Sequence, residues 1–478
     1  MAHLAAALVA VAIVAQACGA AASPTPAPSL TTAAPASATP SVALTPTATS
    51  TTPTATPGTP TPPGSGIVLA MADVPRAPVG PNDLDRAAAA LDAFGLELLQ
   101  RIGSDGGNVV VSPASIVIAL GMARAGARGE TATEMDRVLH AAGLDELVAE
   151  LNALDQALAS RSGWIKDGEG NPREVTLRSA NAPFAQRGYA LDPAYLDLLA
   201  SRFGAGLRLV DFIADPEAAR WLINGWVSER TEQRIPELLA PPDITGLTRL
   251  VLVNAIYLKA PWQEPFDPDL TKPGPFTLAD GSRVEVPMMH LVSTGLGPDF
   301  PAGSGDDWRA IRLPYLGNQL ALTVIVPDDL GAFVDRLTPT MLADLTTMSW
   351  EREGGLLDYH KVDLALPRFS TETEANLADL LKAMGMPLAF DPTAADFSGI
   401  TTEDRLHIAR VIHQANIDVD EKGTEAAAAT AVVMDVGGPG EPFEPFVIRA
   451  DRPFLFVLSD VPSGAILFLG QIADPSAG

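Results

Sequence analysis

The stretch "DEKGTEAAAATAVVMDVGGPGEPFEPF", residues 420–446, passes from charged residues through small side chains to glycine and proline. Its alanines alone favour a helix, whereas the β-branched residues after them favour a strand. In a strand, Thr424 and alternate residues after it would form one face of small side chains, with Glu425 on the opposite, solvent-facing side. Gly423 would supply a backbone joint. Because small side chains enter a packed sheet without overpacking it, the pattern predicts two states, an exposed loop and an inserted strand.

The remaining composition is that of a globular protein with an acidic surface. The 478 residues are 47% hydrophobic and 19% charged, enough for one large core or two medium ones. The 58 acidic and 32 basic residues give a net charge of −26. Because this charge repels phosphate backbones and no basic cluster interrupts it, we predict no nucleic-acid partner and no polyanion site.

The amino terminus has the pattern of an export signal. Residues 4–17, "LAAALVAVAIVAQA", form an apolar run of signal-peptide length that is short for a membrane span. Cys18, the only cysteine, follows it, so no intramolecular disulfide can form. The end "AQAC" resembles a bacterial lipoprotein signal, in which Cys18 carries the lipid; a secretory peptide cut nearby is the alternative. We predict a signal over residues 1–21 and an extracellular protein, anchored to the bacterial membrane through Cys18 or otherwise secreted.

A second segment separates this signal from the globular part. From Ala22 to about Gly66 the sequence is rich in proline, threonine, alanine and serine and lacks hydrophobic periodicity. Such a composition buries too little apolar surface to offset the entropy of ordering. We therefore assign residues 22–78 to a disordered linker and residues 79–478 to one domain.

Within that domain, helix and strand patterns alternate. Residues 82–102 carry apolar side chains at helical spacing, and Ser112 followed by Pro113 is typical of a helix start. Long apolar and β-branched runs at residues 249–262, 320–327 and 362–369 favour central strands. The sequence therefore predicts an α+β protein.

Sequence motifs give no support for an enzyme. The nucleophile elbow, the zinc motif H-E-x-x-H and the phosphate-binding loop G-x-x-x-x-G-K-[ST] are all missing. The six histidines show no pair at the helical spacing of a metal site: His3, His140, His290, His360, His407 and His413. We predict neither a metal nor a cofactor.

The segment "EKGTEAAAATAVV", residues 421–433, resembles the reactive-loop hinge of inhibitory serpins, which trap proteases by inserting this loop into a β-sheet. Other blocks resemble serpin segments in the same order and cover most of the globular part. They are "NVVVSPASIVIALGMARAGARGETATEM" at 108–135, "LVLVNAIYLKAPWQEPFDPDLT" at 250–271, "VDLALPRFSTETEANLADLLKAMGM" at 362–386, "VIHQANIDVDEKGTEA" at 411–426 and "ADRPFLFVLSD" at 450–460.

The resemblance implies a serpin fold of three β-sheets and eight or nine helices, with an exposed reactive loop in a metastable native state. It implies a suicide-substrate inhibitor, not an enzyme: a target serine protease cuts the loop, forms an acyl-enzyme and is trapped when the loop inserts into the central sheet. It also implies a monomer. A non-inhibitory serpin that acts as a binding or structural protein, and an inhibitor of cysteine proteases, remain alternatives. A hinge without bulky or charged residues at positions 426–429 favours inhibition.

The resemblance also assigns candidate residues. The hinge comprises Glu421, Gly423, Thr424, Glu425, Ala426, Ala427, Ala428 and Ala429. Counting as the family does places the reactive bond between Gly437 and Gly438, and a glycine before the cut would suit a protease with a small or occluded first pocket. A one-residue shift would put Val436 before the cut, which would point to elastase-like or subtilisin-like targets.

Five residues match two further serpin features. The "shutter", where strands must part, comprises Ser112, Ser115, Asn254 and His413; a helix cap and a buried core histidine are the simpler interpretations of its members. Trp262 matches the "breach", where the hinge first enters the sheet, and a large core aromatic is the simpler interpretation.

Overall fold

The computed structural model describes residues 66–293, 297–347, 359–424 and 444–477. These residues form nine α-helices and twenty strands in three sheets, which confirms the predicted α+β class. The helices are α1 Asp83–Ile102, α2 Pro113–Gly126, α3 Gly129–Val138, α4 Leu144–Ala159, α5 Pro193–Leu198, α6 Pro216–Arg230, α7 Leu330–Arg336, α8 Pro339–Thr347 and α9 Ala378–Met384.

The strands vary from two residues to twelve. They are β1 Val68–Ala70, β2 Val109–Val111, β3 Gly163–Lys166, β4 Pro172–Ser179, β5 Ala182–Gln186, β6 Leu207–Val210, β7 Leu250–Pro261, β8 Lys272–Thr277, β9 Arg283–Val292, β10 Phe300–Ser304, β11 Trp308–Pro314, β12 Leu320–Pro327, β13 Tyr359–His360, β14 Val362–Pro367, β15 Phe369–Asn376, β16 Arg410–Asp420, β17 Gly423–Thr424, β18 Phe446–Arg449, β19 Phe454–Asp460 and β20 Ile466–Ile472.

A nine-stranded central sheet positions the candidate site. Its order is β1-β6-β5-β7-β17-β16-β15, with the hairpin β3–β4 attached to β7. The second sheet has seven strands in the order β13-β10-β11-β12-β19-β20-β2, and the third has four in the order β18-β14-β9-β8. The stretch quoted first, residues 420–446, therefore connects two sheets. Strand β17, near its start, lies in the central sheet, and Phe446, at its end, begins β18 in the four-stranded sheet.

The central sheet is buried on both faces over part of its length. Along β7, Leu252 and Leu258 face a large core that also contains α2, whereas Val251 and Val253 face a smaller core under α6. A strand buried on both sides needs apolar side chains at successive positions, which explains the unbroken run "LVLVNAIYL". Helix α2 begins as its sequence predicts, with Pro113 at the first turn and the Ser112 hydroxyl accepting from the Ser115 N–H.

Residues just before α1 pack on the domain, whereas the sequence assigned positions up to 78 to the linker. Strand β1 pairs with β6 at the edge of the central sheet. Arg76 donates to Asn152 and Asp155 on α4. A three-residue strand carries too little periodicity to be recognised, and its register comes from the edge of β6. The predicted signal peptide, Cys18 and the linker up to residue 65 lie outside the described residues.

Two properties of the described residues bear on membrane and metal binding. Among the described helices, none combines the length and apolar character needed to cross a bilayer. Over the same residues, no group of three or more histidine, cysteine, aspartate or glutamate side chains is placed to hold a metal ion.

Candidate functional site

The described part of the hinge is already a strand of the central sheet. Thr424 pairs antiparallel with Val419 of β16 on one side and with Ala260 of β7 on the other. Further along, no strand separates the two neighbours: β7 and β16 pair directly in parallel, from Val251 with Arg410 to Ile256 with Ala415. The two strands therefore diverge at one end of the sheet, and the hinge occupies the space between them.

Gly423 is required by this close fit. Its φ is +149°, in the region that favours glycine. A Cβ atom built at this position would lie 2.1 Å from the carbonyl oxygen of Ala260, well inside van der Waals contact. The glycine in the quoted stretch therefore serves to bring the hinge backbone against β7.

Glu421 anchors the start of the hinge through an ion pair. Its side chain is buried, and its carboxylate accepts from Arg368 at 2.6 Å and from the Thr271 hydroxyl at 2.5 Å. Burial raises the pKa of Glu421, but the hydrogen bonds from Arg368 and Thr271 outweigh this effect and leave the pKa below its usual value. Glu421 is therefore ionised at neutral pH and held in place from two other segments.

Trp262 lies where the sequence placed the breach, directly beside the hinge. Its indole N–H donates to the carbonyl of Asp420 at 2.9 Å, and its backbone N–H donates to the carbonyl of Lys422 at 2.9 Å. Its ring stacks on Tyr315 with 4.4 Å between centroids. The Tyr315 hydroxyl lies 2.5 Å from the Thr424 hydroxyl, so the pair holds the first residue of the inward face.

The four shutter residues come together beneath the middle of the sheet. The Ser112 N–H donates to Nε2 of His413 at 3.2 Å, and Nδ1 of His413 lies 2.5 Å from Oδ1 of Asn254. Because a backbone N–H can only donate, Nε2 is unprotonated and the ring proton sits on Nδ1, donating to Asn254. The Ser115 hydroxyl donates to Asn181 at 2.7 Å. His413 thus ties β7 and β16 together and to the start of α2.

This arrangement predicts a pH dependence of stability. Complete burial lowers the pKa of His413 from 6.5 to about 3, because a buried imidazolium loses its hydration. The folded state therefore holds a neutral ring while the unfolded state takes up a proton below pH 6.5, so the free energy of unfolding falls as the pH drops from 6.5 towards 3. Between pH 7.5 and 5.5 the loss from this group is about 1.4 kcal/mol.

Urea unfolding of the wild type and of His413→Gln at both pH values tests this dependence. We expect the wild type to lose about 1.4 kcal/mol more than the variant, since glutamine does not titrate. Equal losses in the two proteins would show that His413 is not the group responsible.

Several contacts of the site were not found from sequence. Tyr315, Arg368, Thr271 and Asn181 reach their partners across 109, 53, 150 and 66 positions of the chain, respectively. None of these residues was singled out, although Thr271 and Arg368 lie within the serpin-like blocks quoted above. The rest of the predicted site lies outside the described residues: Glu425, Ala426, Ala427, Ala428, Ala429, Val436, Gly437 and Gly438.

Comparison with known proteins decides the family. A family model described as "Serpin (serine protease inhibitor)" matches residues 89–475. The chain belongs to the serpin family. This serpin is 39% identical over 389 residues to an uncharacterized serpin-like protein of Thermococcus kodakarensis, with 81% of this chain and 86% of that one covered. It is 36% identical over 403 residues to the leukocyte elastase inhibitor of Bos taurus, with 82% of this chain and 100% of the relative covered.

A solved structure agrees with the fold. The native structure of tengpin, a thermophilic serpin, matches with a TM-score of 0.72 at 23% identity, covering 86% of this serpin and 100% of that chain. The sequence-based resemblance and the three-sheet serpin fold are therefore confirmed. As a family, serpins are protease inhibitors and not catalysts, although some members do not inhibit.

Proposed function

We propose that this serpin is an inhibitor of serine proteases that acts as a suicide substrate. The observation that carries the proposal is the position of Gly423 and Thr424, which pair with β7 and β16 on both sides at the end of the central sheet. A loop cut beyond this point could continue as a strand in the same register. The strand pair it must enter is parallel, and insertion would replace it by two antiparallel pairs, which are more stable per residue.

The observed register supplies the geometry of the inserted state. Thr424 lies opposite Ala260, and the two strands run antiparallel. Met434, ten residues after Thr424, would therefore lie opposite Leu250, which is ten residues before Ala260 and begins β7. Gly437 would then pass beyond the far end of that strand. At about 3.3 Å per residue, the thirteen residues from Thr424 to Gly437 correspond to a displacement of about 43 Å.

The side chains of the quoted stretch suit this register. Thr424 and Ala260 face the large core, so alternate residues after Thr424 would also face it; those up to Val432 are small or β-branched, and the next is the apolar Met434. Glu425 would lie on the other face, opposite Lys259, where opposite charges on neighbouring strands attract. Insertion therefore requires no charge to enter the core, in agreement with the two-state pattern of the sequence.

The shutter must rearrange in the same step. In this register Thr430 would lie opposite Asn254, between the strands that the Asn254–His413 hydrogen bond now joins. That hydrogen bond would break, and the Thr430 hydroxyl could take up the polar groups released. A threonine among alanines at this position thus lowers the cost of opening buried hydrogen bonds.

The chemistry needs only the protease's own nucleophile. Its serine hydroxyl attacks the carbonyl carbon of Gly437, the peptide bond breaks, and the amino group of Gly438 leaves with a proton. An ester then joins the protease to Gly437. Insertion draws this ester along the sheet before water hydrolyses it, which displaces the serine from the groups that activate it and from the oxyanion hole.

The residue before the cut sets the class of protease. Gly437, or Val436 if the bond lies one residue earlier, fits a small or occluded first pocket, so we propose an elastase-like or subtilisin-like target. Relatives from Bos taurus, Homo sapiens and Sus scrofa are named for elastase inhibition, and the first of them is 36% identical to this serpin. We further propose that the protein acts as a monomer outside the cell, held at the membrane by a lipid on Cys18 or otherwise secreted.

Incubation of the full-length chain with elastase, subtilisin, chymotrypsin and trypsin tests the mechanism. We expect an adduct that survives denaturing electrophoresis with elastase or subtilisin, together with a released carboxy-terminal fragment that begins at Gly438 or, for the alternative bond, Gly437. Cleavage by all four enzymes without an adduct would instead favour a non-inhibitory serpin. A cysteine protease is incubated in parallel, and an adduct with that enzyme alone would change the target class and keep the mechanism.

A further inference from the structure

Two arginines meet on one tryptophan near the edge of the central sheet. The guanidinium carbons of Arg208, in β6, and of Arg230, the last residue of α6, each lie 4.3 Å from the ring centroid of Trp226. These two carbons are therefore no more than twice 4.3 Å apart. All three residues are half-buried, so the arginine cluster that they form borders solvent.

The sheet and the helix fix the arginine cluster from two sides. Arg208 is the register partner of Phe184 in β5, so the two side chains share a face of the sheet. Phe184 belongs to the small core under α6 and packs edge-on against Trp226, with 5.4 Å between ring centroids. Arg230 follows Trp226 by one helical turn and reaches the same ring from the helix. The cluster therefore links β6 to α6.

The positive charge of the cluster is not neutralised within the part of the chain that the structure describes. No carboxylate there forms an ion pair with Arg208 or Arg230. Nη1 of Arg208 is buried and has no hydrogen-bond partner among these residues. Burial and the charge of Arg230 lower the pKa of Arg208 to about 10, so both guanidiniums remain charged at neutral pH.

A second arginine–tryptophan stack on α6 shows how such a charge is usually compensated. The guanidinium carbon of Arg220 lies 4.4 Å from the ring centroid of Trp221. Arg220 also donates to Glu217 at 2.6 Å and to Glu237 at 2.7 Å. Stacking on an indole therefore does not replace a carboxylate partner in this helix. A buried donor without a protein acceptor is generally satisfied by water or by an ion.

We infer that Arg208 and Arg230, held in place by Trp226, bind a phosphate monoester group. The guanidinium fork matches two phosphate oxygens, and stacking on an indole orients its plane while the N–H groups stay free to donate. Two positive charges match a phosphate monoester, which carries about two negative charges at pH 7. Two guanidiniums suit a single dianion and do not form the continuous basic surface that a polyanion requires.

The surroundings of the cluster indicate what carries the phosphate. Leu69 of β1 lies directly opposite Arg208, on the same face, and is 51% exposed. Residues 22–65, which precede this strand, contain no aspartate or glutamate that could supply the anion. An exposed apolar side chain beside the two cations fits a phosphate attached to an apolar body. Soluble phosphate esters and the headgroup of phosphatidic acid share this chemistry.

Calorimetric titration of the full chain with inorganic phosphate, in a chloride buffer at constant ionic strength, tests the site. We expect saturable binding by the wild type with a dissociation constant of about 1 mM or lower. Arg208→Gln and Arg230→Gln should each bind at least about tenfold more weakly, because each loses a charge-assisted donor. Arg101→Gln is the matched control and should bind as the wild type does, since Arg101 also lies in the last turn of a long helix but pairs with Glu97.

Three results would overturn the inference. They are no saturable binding by the wild type, equal affinities of the wild type and both cluster variants, and displacement of phosphate by acetate as readily as by sulfate, since acetate carries one charge. Thermal unfolding without phosphate checks that each variant is folded. If Arg208→Gln does not fold, Arg230→Gln still decides the result, because Arg230 is the last residue of its helix.

Vesicles distinguish the two sources of the phosphate. The full chain with Cys18→Ser, which cannot carry a lipid on that residue, is sedimented with phosphatidylcholine vesicles with or without phosphatidic acid. Recovery that requires phosphatidic acid and is lost with Arg208→Gln would assign the site to a lipid headgroup. Binding of inorganic phosphate without such recovery would assign it to a soluble phosphate ester, and either result supports the site. No protease takes part, so these measurements are independent of the proposed inhibitor function.

Discussion

Replacing Thr424 with arginine is expected to turn the protein from an inhibitor into a substrate. Thr424 is buried between β7 and β16, and its hydroxyl contacts Tyr315. A guanidinium there would lie in the large core without a carboxylate partner, which costs several kcal/mol, so the substitution would hold the hinge out of the sheet and oppose insertion. Because each 1.4 kcal/mol is a factor of ten, the ratio of cut to trapped protease should rise by at least about tenfold.

The measurement is the number of serpin molecules consumed for each protease molecule inhibited, together with the adduct on denaturing gels. Thr424→Ser is the matched control, because serine keeps the hydroxyl near Tyr315 and introduces no charge; it should trap as the wild type does. Glu425→Gln should also be tolerated, since that side chain would face solvent. Trapping by Thr424→Arg at the wild-type stoichiometry would contradict insertion in the observed register.

Removal of the His413 side chain is expected to destabilise the sheet more than any surface change. His413 is fully buried and links Asn254 of β7 to the N–H of Ser112. His413→Ala leaves a cavity and two unpaired polar groups, so we expect a loss of about 3 to 5 kcal/mol in the free energy of unfolding. The strands β7 and β16 should also separate more readily, which would increase loop insertion into neighbouring molecules.

Thermal unfolding and native electrophoresis measure the two effects. His407→Ala serves as the control, because His407 is half-buried and lies outside the shutter; its change should stay below about 1 kcal/mol. Similar losses in both variants would mean that the His413 contacts do not hold the sheet closed.

Local sequence patterns account for the buried side of the hinge and for the central strand β7. The alternation after Gly423 gave the two faces of an inserted strand, and the structure places Thr424 on the buried side. The run over residues 249–262 predicted a central strand, and β7, Leu250–Pro261, is an inner strand of the central sheet. Resemblance to the serpin family added Ser112, Asn254 and His413, which no local pattern singles out as a group.

Other parts of the site were not accessible to that reasoning. The anchor of Glu421 depends on Arg368 and Thr271, and neither has a local signal that distinguishes it from a surface residue. The hairpin β3–β4 also appeared only in the structure, because β3 is a four-residue strand and its partner segment alternates weakly. Both features arise from strands that are distant in sequence and adjacent in a sheet.

The sequence by itself determined the mixed class through its hydrophobic periodicity, and the family through ordered blocks that resemble serpin segments. It also predicted a segment that changes state, because the small side chains after Gly423 are a property of neighbouring residues. Only the tertiary structure decided where the hinge begins to pair, that Gly423 must meet the carbonyl of Ala260, and that Arg368 and Thr271 hold Glu421. Those facts depend on strand order and register, which are set by packing between segments far apart in the chain.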